Sequence, residues 1–499
     1  MSPDAKDALI EEELQKGLKA FIRDGLTTEV MAALTGGVFL VAFALRLGAS
    51  NMLIGLLAAI PPLVQLVQIP SIYLIERFRT RRKICMYATA SSRLLWLLIA
   101  LIPFIVPDNE RLTVLVIAIL LSTALSALAG SSWNSWMHDF LPHNRLGSIF
   151  SKRMSVSIAM GIPFSLAAGF YIQRWGEQFP QYDLHGYSIL FALGSLVGLL
   201  GIYFVSTIPE PRMVPLEEKI NFFKLILKPF KDVNFKNLIM FMSSWNFAVN
   251  LAAPFFTVYM LKVLKLDLTL IVALMVLSQI ANVLFLRIWG RLADRFSNKS
   301  VLGVSGPLFL LVIFAWTYTI LPERRIFTIL LLIAIHIFAG ISTAGVTLAS
   351  GNIGLKLAPK GQATAYLAAN GLINSLAAGV APILGGILAD VFTGYEFFGT
   401  INWRSPAGER VFTTFFLQGW GFLFLLAALT GLYSIHRLAI VKETGEVEEK
   451  IVMRELIAEV ERGVRDISTA DGLRPMVIFP YSIVRSHLRK VKNRAQDAS

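Results

Sequence analysis

The chain has 499 residues, of which 55% are hydrophobic and 16% charged, with a mean hydropathy of +0.63. Soluble domains carry about 25% charged residues, so this is the composition of a membrane protein. The single cysteine, Cys85, excludes an intramolecular disulfide and most cysteine metal sites, and the excess of 46 Lys+Arg over 33 Asp+Glu is explained by its distribution, below.

Residues 1–27 form a first unit. Within 5–24, Leu9, Ile10, Leu14, Leu18, Phe21 and Ile22 recur at three- and four-residue steps, with Glu11, Glu12, Lys16, Lys19 and Arg23 between them. The spacing predicts an amphipathic helix on the membrane surface or against cytoplasmic loops. No short apolar core precedes a small-residue cleavage site, so no removable signal peptide is expected.

Twelve spanning segments follow, because crossing the hydrocarbon core takes about 20 apolar residues. They are expected near 28–48, 51–75, 84–106, 112–137, 155–175 and 186–207, then 237–261, 267–288, 301–321, 326–350, 362–390 and 411–436. Two six-helix units, 28–208 and 237–437, are joined by a charged linker at 209–236 that carries Glu217, Glu218, Lys219, Lys224, Lys228 and Lys231. With the amino terminus inside, the inner loops hold about 20 Lys/Arg against about nine outside, which orients both termini to the cytoplasm. Five of them, Arg77, Arg79, Arg81, Arg82 and Lys83, fall in one loop. The positive charge is thus a topology signal, and nucleic acid is not an expected partner. In the tail, 438–499, Val447, Ile451, Leu456, Val460 and Val464 share one helical stripe, and Arg485, Arg489, Lys490 and Lys492 follow, a pattern suited to anionic membrane lipids.

The chain repeats itself. Gly290-Arg291-Leu292-Ala293-Asp294-Arg295-Phe296 has a worn copy at Ile72-Tyr73-Leu74-Ile75-Glu76-Arg77-Phe78, an offset of 294 − 76 = 218. Leu141-Pro142 and Ala358-Pro359 give 359 − 142 = 217. The Gly290–Phe296 stretch, with Lys299 after it, closely resembles the loop motif of the major facilitator superfamily (MFS), G-x-L-a-D-R-x-G-R-K. The first copy departs from it by having Ile72 where the motif's first glycine belongs. Pro142 through Gly147 and, more loosely, Gly161-Ile162-Pro163 through Gly169 extend the likeness. Ala381-Pro382-Ile383-Leu384-Gly385-Gly386 is similar to the P-x-x-G-G pattern of gate helices, placed here in the eleventh span.

The resemblance covers 28–437. It implies an all-α membrane protein of the MFS fold, with twelve transmembrane helices in two pseudo-symmetric six-helix bundles, flanked by cytoplasmic amphipathic terminal helices. It further implies an inner-membrane secondary transporter working by alternating access. Spans 1, 4, 7 and 10 would line the cavity, and 2, 5, 8 and 11 would form gates. Glu76, Arg77, Arg291, Asp294 and Arg295 are then the expected inner-gate residues, making salt bridges that break when the halves rock.

Intramembrane polar groups usually face the bundle interior. Span 7 has Ser243, Asn246, Asn250 and Thr257 on one stripe, span 10 has His336, Gly340, Thr343 and Thr347, and span 11 has Tyr366, Asn370 and Asn374. Span 2 adds Gln65 and Gln68, span 8 adds Gln279 and Asn282, and Trp133 and Trp245 supply aromatic faces. The expected solute contacts are Asn246, Asn250, His336, Thr343, Gln65, Gln68, Gln279, Asn282, Asn370, Asn374, Trp133 and Trp245. Carboxamides that donate and accept, beside aromatic rings, suit a small polar or amphipathic organic solute; efflux of hydrophobic drugs or lipids is the alternative. No acid is expected at mid-depth, which leaves His336 as the candidate proton switch, with a neutral histidine hydrogen-bonded inside the bundle as the other reading. Arg93 needs a partner, for which Glu76 and Asp139 are the expectations. No HExxH, GxSxG or GxxxxGK[ST] arrangement is present, so neither an enzyme nor an ATP motor is expected, and no catalytic residue, metal or cofactor is assigned.

Overall fold

A computed structural model describes residues 3–67, 71, 74–75, 77–142, 146–211, 228–319, 325–359, 363–406 and 408–468. Among them are 11 helices long and apolar enough to cross a membrane, and a shorter apolar helix, Asn51–Val67, stands where the second span is expected. Span 1 is a broken helix, Pro3–Thr35 then Gly37–Arg46. Gly37, with φ 54, takes the left-handed conformation at the break that a side chain would resist.

The helix over 5–24 is therefore real but is not a separate surface element. From Leu14 onward its apolar stripe is covered by protein: Phe21 is fully buried among Trp136, Met137, Phe140 and Ile208, with Leu14, Leu18 and Ile22 packed beside them. Spans 3 to 6 are Arg81–Ile105, Arg111–Phe140, Leu146–Gln178 and Asp183–Ser206. Spans 7 to 12 are Val233–Lys262, Leu268–Arg295, Asn298–Ala315, Arg325–Leu357, Ala363–Val391 and Trp420–Ile440.

The duplication is visible in register and in packing. Spans 2 and 8 start at Asn51 and Leu268 and spans 3 and 9 at Arg81 and Asn298, each 217 apart (268 − 51). In the first half spans 1–5, 1–6, 2–4, 3–4 and 3–6 pack together, and each pairing recurs as 7–11, 7–12, 8–10, 9–10 and 9–12. Between the halves, spans 2–11 and 5–8 pack, which is one contact and its pseudo-symmetric image.

The glycines of the eleventh span make its contact close. A Cβ at Gly386 would stand 2.5 Å from the Asn51 carbonyl oxygen on span 2. One at Gly385 would collide with the Leu251 carbonyl on span 7, and one at Gly55 with the Pro382 carbonyl. Adjacent small residues thus let one helix approach two neighbours at once.

One feature departs from the expected chain order. The segment 411–418 is not the start of span 12 but part of a β-hairpin, β1 (Glu396–Ser405) and β2 (Gly408–Gln418), inserted between spans 11 and 12. It shifts the repeat: spans 6 and 12 start at Asp183 and Trp420, 420 − 183 = 237 apart. The tail forms a helix, Glu449–Ser468, against the ends of spans 8 and 9 on the face where span 1 begins. That face is called the terminal face below; the hairpin lies on the opposite one.

Candidate solute site and gate

Spans 7 and 11 rise side by side from the terminal face, where the Phe235 and Tyr366 rings meet edge-on with centroids 4.7 Å apart. Asn374 lies eight residues beyond Tyr366 and Asn246 eleven beyond Phe235, so at roughly 1.5 Å per residue they stand about 12 and 16 Å above that contact. Asn246 Nδ2 donates to the Met242 carbonyl at 2.8 Å and Asn250 Nδ2 to the Asn246 carbonyl at 2.8 Å. Both amides are thereby pinned to their own helix, and their side-chain oxygens accept no described hydrogen bond. On span 11 the Oδ1 atoms of Asn370 and Asn374 are buried without a partner. Unsatisfied acceptors in a low-dielectric interior are costly, so a donor brought within reach of these oxygens would be favoured. Gln65 sits in the 3-10 turn that ends the short second helix and packs on span 11. Gln68 lies outside the described residues.

The remaining predicted contacts are placed elsewhere. Asn282 Nδ2 donates to the Gly340 carbonyl at 3.4 Å, tying span 8 to span 10 where Gly340 allows close approach. Gln279 and Thr343 are half-buried on those two helices. Trp245 is buried in the second bundle beside Phe241 and Phe309. His336 is buried as well; its Nδ1 donates to the Leu332 carbonyl at 2.8 Å, and its ring stands edge-on to Trp316. It lines a separate cavity of about 260 Å³ inside the second bundle, with Phe256, Thr257, Met260 and Phe309.

Sequence reasoning missed the charged cluster of the first bundle. Asp24, 4% exposed, accepts from Arg153 Nη2 at 2.8 Å and faces Arg93 Nη2 at 3.9 Å. Thr28 bridges the pair, with its Oγ1 receiving Arg93 Nη2 at 2.9 Å and donating to Asp24 Oδ1 at 3.4 Å. Arg93 Nη1 also donates to the Gly198 carbonyl. The Arg153 guanidinium lies over Phe21 and Trp133, 4.8 and 4.7 Å from the ring centroids. Asp24, Thr28, Arg93, Trp133 and Arg153 line a cavity of about 470 Å³ with Thr35, Ser92 and Ser126. The partner of Arg93 is thus Asp24; Asp139, the expected one, is held by Arg81 at 2.5 Å, and Glu76 lies outside the described residues. The apolar triplet Ala20-Phe21-Ile22, separated from Leu26 only by Arg23-Asp24-Gly25, was the available signal that span 1 starts earlier than 28.

The motif residues are engaged in an unexpected way. Arg291 pairs with Glu459 at 2.9 Å and Arg295 with Glu455 at 2.8 Å, both on the tail helix of their own half. Lys299 pairs with Glu446 and Lys356 with Glu443, each at 2.8 Å. The Glu443 carboxylate also receives the backbone N–H of Asn298 at 3.3 Å and of Lys299 at 2.7 Å, capping the positive end of span 9. Hydrogen bonding to Lys299 holds the Glu446 carboxyl below its ordinary range, and bonding to Arg462 and Arg295 does so for Glu455. Asp294 and Arg77 are exposed and make no described ion pair.

The two halves make polar contacts on the hairpin face. Asp390 of span 11 accepts from Asn51 Nδ2 at 2.8 Å and from the Met52 backbone N–H at 3.2 Å, and Lys262 Nζ donates to Asn51 at 3.5 Å.

Paired six-span bundles, related by internal repetition and touching through spans 2, 5, 8 and 11, define a multi-pass membrane carrier. A model of the Major Facilitator Superfamily matches residues 26–382 and 238–462, and the chain belongs to that superfamily. It is accordingly a transporter and not an enzyme. Among solved structures, a point mutant of the nucleoside transporter NupG overlays with a TM-score of 0.63 at 14% identity, covering 86% of this chain and 100% of its own. The inward-open xylose transporter XylE from E. coli gives 0.61 at 14%, with 89% and 99% covered. A D-xylose-proton symporter gives 0.61 at 16%, with 88% and 99% covered. At these identities the likeness concerns the fold. No curated protein gives a significant match to the sequence.

Proposed function

We propose that the chain moves a small polar organic solute, rich in hydroxyl or amine donors, by rocking its two halves about the wall formed by spans 7 and 11. The observation that carries this reading is the pair of buried, unpartnered carbonyl oxygens of Asn370 and Asn374 beside the pinned amides of Asn246 and Asn250. Two pinned carboxamides beside two unpartnered acceptors select donors by position, and a solute lacking them leaves acceptors unsatisfied. The names of the overlaid carriers, for nucleosides and xylose, fit such solutes. Gln65, Gln279 and Thr343 belong to the surrounding shell in this proposal, whereas Asn282, Trp245 and His336 hold helices together.

The driving ion is proposed to be the proton, bound at Asp24. Two arginines face that single carboxylate, so its protonation removes the counter-charge of both, and the first bundle must rearrange or take up an anion. The naming of one overlaid structure as a proton symporter supports this. The terminal face is proposed as cytoplasmic, from its Lys/Arg excess. With the halves joined by polar contacts on the hairpin face, the conformation described above is proposed to be closed on that face. Glu76, Arg77 and Asp294 are the groups proposed to meet across the inner gate, while Arg291 and Arg295 carry the tail helix.

Uptake into proteoliposomes by a panel of hydroxylated and amino solutes tests this reading. The solute found should lose about tenfold in affinity with Asn370→Ala or Asn374→Ala, the worth of one buried hydrogen bond of about 1.4 kcal/mol. Unchanged affinity in both would refute the wall as the binding site. Export of hydrophobic drugs or lipids is favoured by one feature, an apolar recess of about 750 Å³ between spans 2, 3 and 4, lined by Val67, Leu74, Leu94, Leu121 and Leu125. Lipid movement in the same vesicles, with no polar solute taken up, would select that reading.

A further inference from the structure

The β-hairpin is not required by the fold: its counterpart between spans 5 and 6 is the short 3-10 turn Pro180–Tyr182, and span 12 follows directly beyond it. Its base is clamped where Gly419 N–H donates to the Tyr395 carbonyl at 3.1 Å, and Leu417 is buried against the start of span 12. Beyond the base the side chains of β1 are largely exposed. The ladder pairs Phe397 with Leu417, Ile401 with Phe412 and Trp403 with Arg410, so alternation puts Phe397, Ile401 and Trp403 on one side of β1. They are 60%, 58% and 65% exposed. Thr400, Asn402 and Arg404 take the other side, with Phe398 the exception near the base. A two-stranded hairpin is marginal in water by itself, and this one presents a neutral aromatic side to its surroundings.

The level of the hairpin identifies what that side meets. Charged and polar groups mark the edge of the hydrocarbon on this face: Asp390 with Asn51 and Lys262, and Arg46 with Asp183 at 3.0 Å. Glu396 opens β1 only six residues past Asp390, which sets the base at headgroup depth. Span 11 carries an exposed apolar stripe, Leu376, Val380, Leu384, Ile387 and Val391, the surface that a spanning helix gives to lipid. That stripe runs on into Tyr395 and Phe397, both exposed. Trp, Tyr and Phe at this depth are the residues that partition into the membrane–water interface.

We propose that the hairpin is an interfacial membrane anchor, lying with its Phe397–Ile401–Trp403 side in the phospholipid headgroup region of the adjacent leaflet. Its place between spans 11 and 12 ties that leaflet to the helix that packs on both span 2 and span 7. The partner is the phospholipid interface itself, and no particular headgroup charge is needed, since Glu396, Arg404, Glu409 and Arg410 balance.

The full chain carrying Ile401→Cys, labelled with an environment-sensitive fluorophore while the buried Cys85 stays unreacted, is reconstituted in phosphatidylcholine vesicles. Asn402→Cys reports the other side of the strand, and Trp403→Cys gives a second reading of the first should Ile401→Cys fold poorly. The proposal predicts several-fold stronger quenching at 401 by phospholipid spin-labelled near the headgroup than by aqueous iodide, with the order reversed at 402. Equal iodide quenching at both positions would place the hairpin in water and overturn it. Shielding of 401 from both quenchers, growing with protein-to-lipid ratio, would overturn it in favour of a second copy of the chain.

Discussion

Replacing Glu443 with glutamine separates the tail's structural contribution from a passive extension. The side chain is fully buried, receives the Asn298 and Lys299 backbone N–H groups and Asn298 Nδ2, and pairs with Lys356. Lys356 is 41% exposed, so its ammonium keeps water and the pair is worth under about 1 kcal/mol. The larger loss is at the start of span 9, where a charged cap contributes about 1 kcal/mol through its hydrogen bonds and up to about 1 kcal/mol through the helix dipole. Glu443→Gln should therefore cost about 2 kcal/mol. At the low end of the range for large domains, about 2 °C per kcal/mol, the apparent Tm falls by about 4 °C. Thermal unfolding in detergent at one fixed scan rate measures it, because such unfolding is commonly irreversible. Glu448→Gln, at an exposed position just ahead of the tail helix, is the control and should shift Tm by under about 1 °C. Equal Tm for the two variants would refute the reasoning and leave the tail as a loosely held appendage.

Other outcomes follow from the same geometry. Asp24→Asn should abolish uptake driven by a pH gradient while leaving solute exchange within about threefold of wild type; His336→Ala should keep gradient-driven uptake, and the reverse pattern would move coupling to the second bundle. Because Glu446 and Glu455 have folded pKa values below their unfolded ones, their contribution is complete above the ordinary carboxylate range of about 4.3 and is lost as pH falls through the lower folded values. Proteolysis of 442–468 should accordingly be slow at neutral pH and accelerate only in strong acid; constant protection to about pH 2 would contradict the ion pairs. Gly386→Ala forces a Cβ to within 2.5 Å of the Asn51 carbonyl and should disfavour closure of the hairpin face by about 1–3 kcal/mol. Faster thiol labelling of an introduced cysteine at Arg46 in that variant would register the opening, and an unchanged rate would sink the close-contact argument.

Much of the fold is legible in the sequence because hydropathy and repetition act along the chain. The 217-residue spacing of Pro142 and Pro359 is the spacing at which two pairs of helices start, spans 2 and 8 and spans 3 and 9. Amphipathicity, however, reports that a stripe is covered and not by what: Leu14, Leu18 and Phe21 read as lipid-facing and are packed against spans 4 and 6. Placing the start of span 1 too late hides Asp24, because a charge in a surface helix needs no explanation and one inside a bundle does. The second strand of the hairpin reads as helix since an apolar run such as Val411–Leu417 carries no decisive period, and the bulge at Gly399/Thr400 breaks strict alternation across the pair. The amide stripes are one-sided in the sequence, yet which amides are spent on holding helices together, as Asn282 is, depends on neighbours more than 50 residues away. The tail's grip on Arg291 and Arg295 depends on partners more distant still.

The central claim is that two repeated bundles rock about the amide wall of spans 7 and 11. Spin labels at Asn134→Cys and Asn352→Cys, exposed near the terminal-face ends of spans 4 and 10, measure the opening by pulsed electron resonance in lipid nanodiscs. A long distance should dominate without solute, and transported solute should raise a shorter component, an effect lost with Asn370→Ala and Asn374→Ala together. A single distance, unmoved by solute or by pH, would contradict the account.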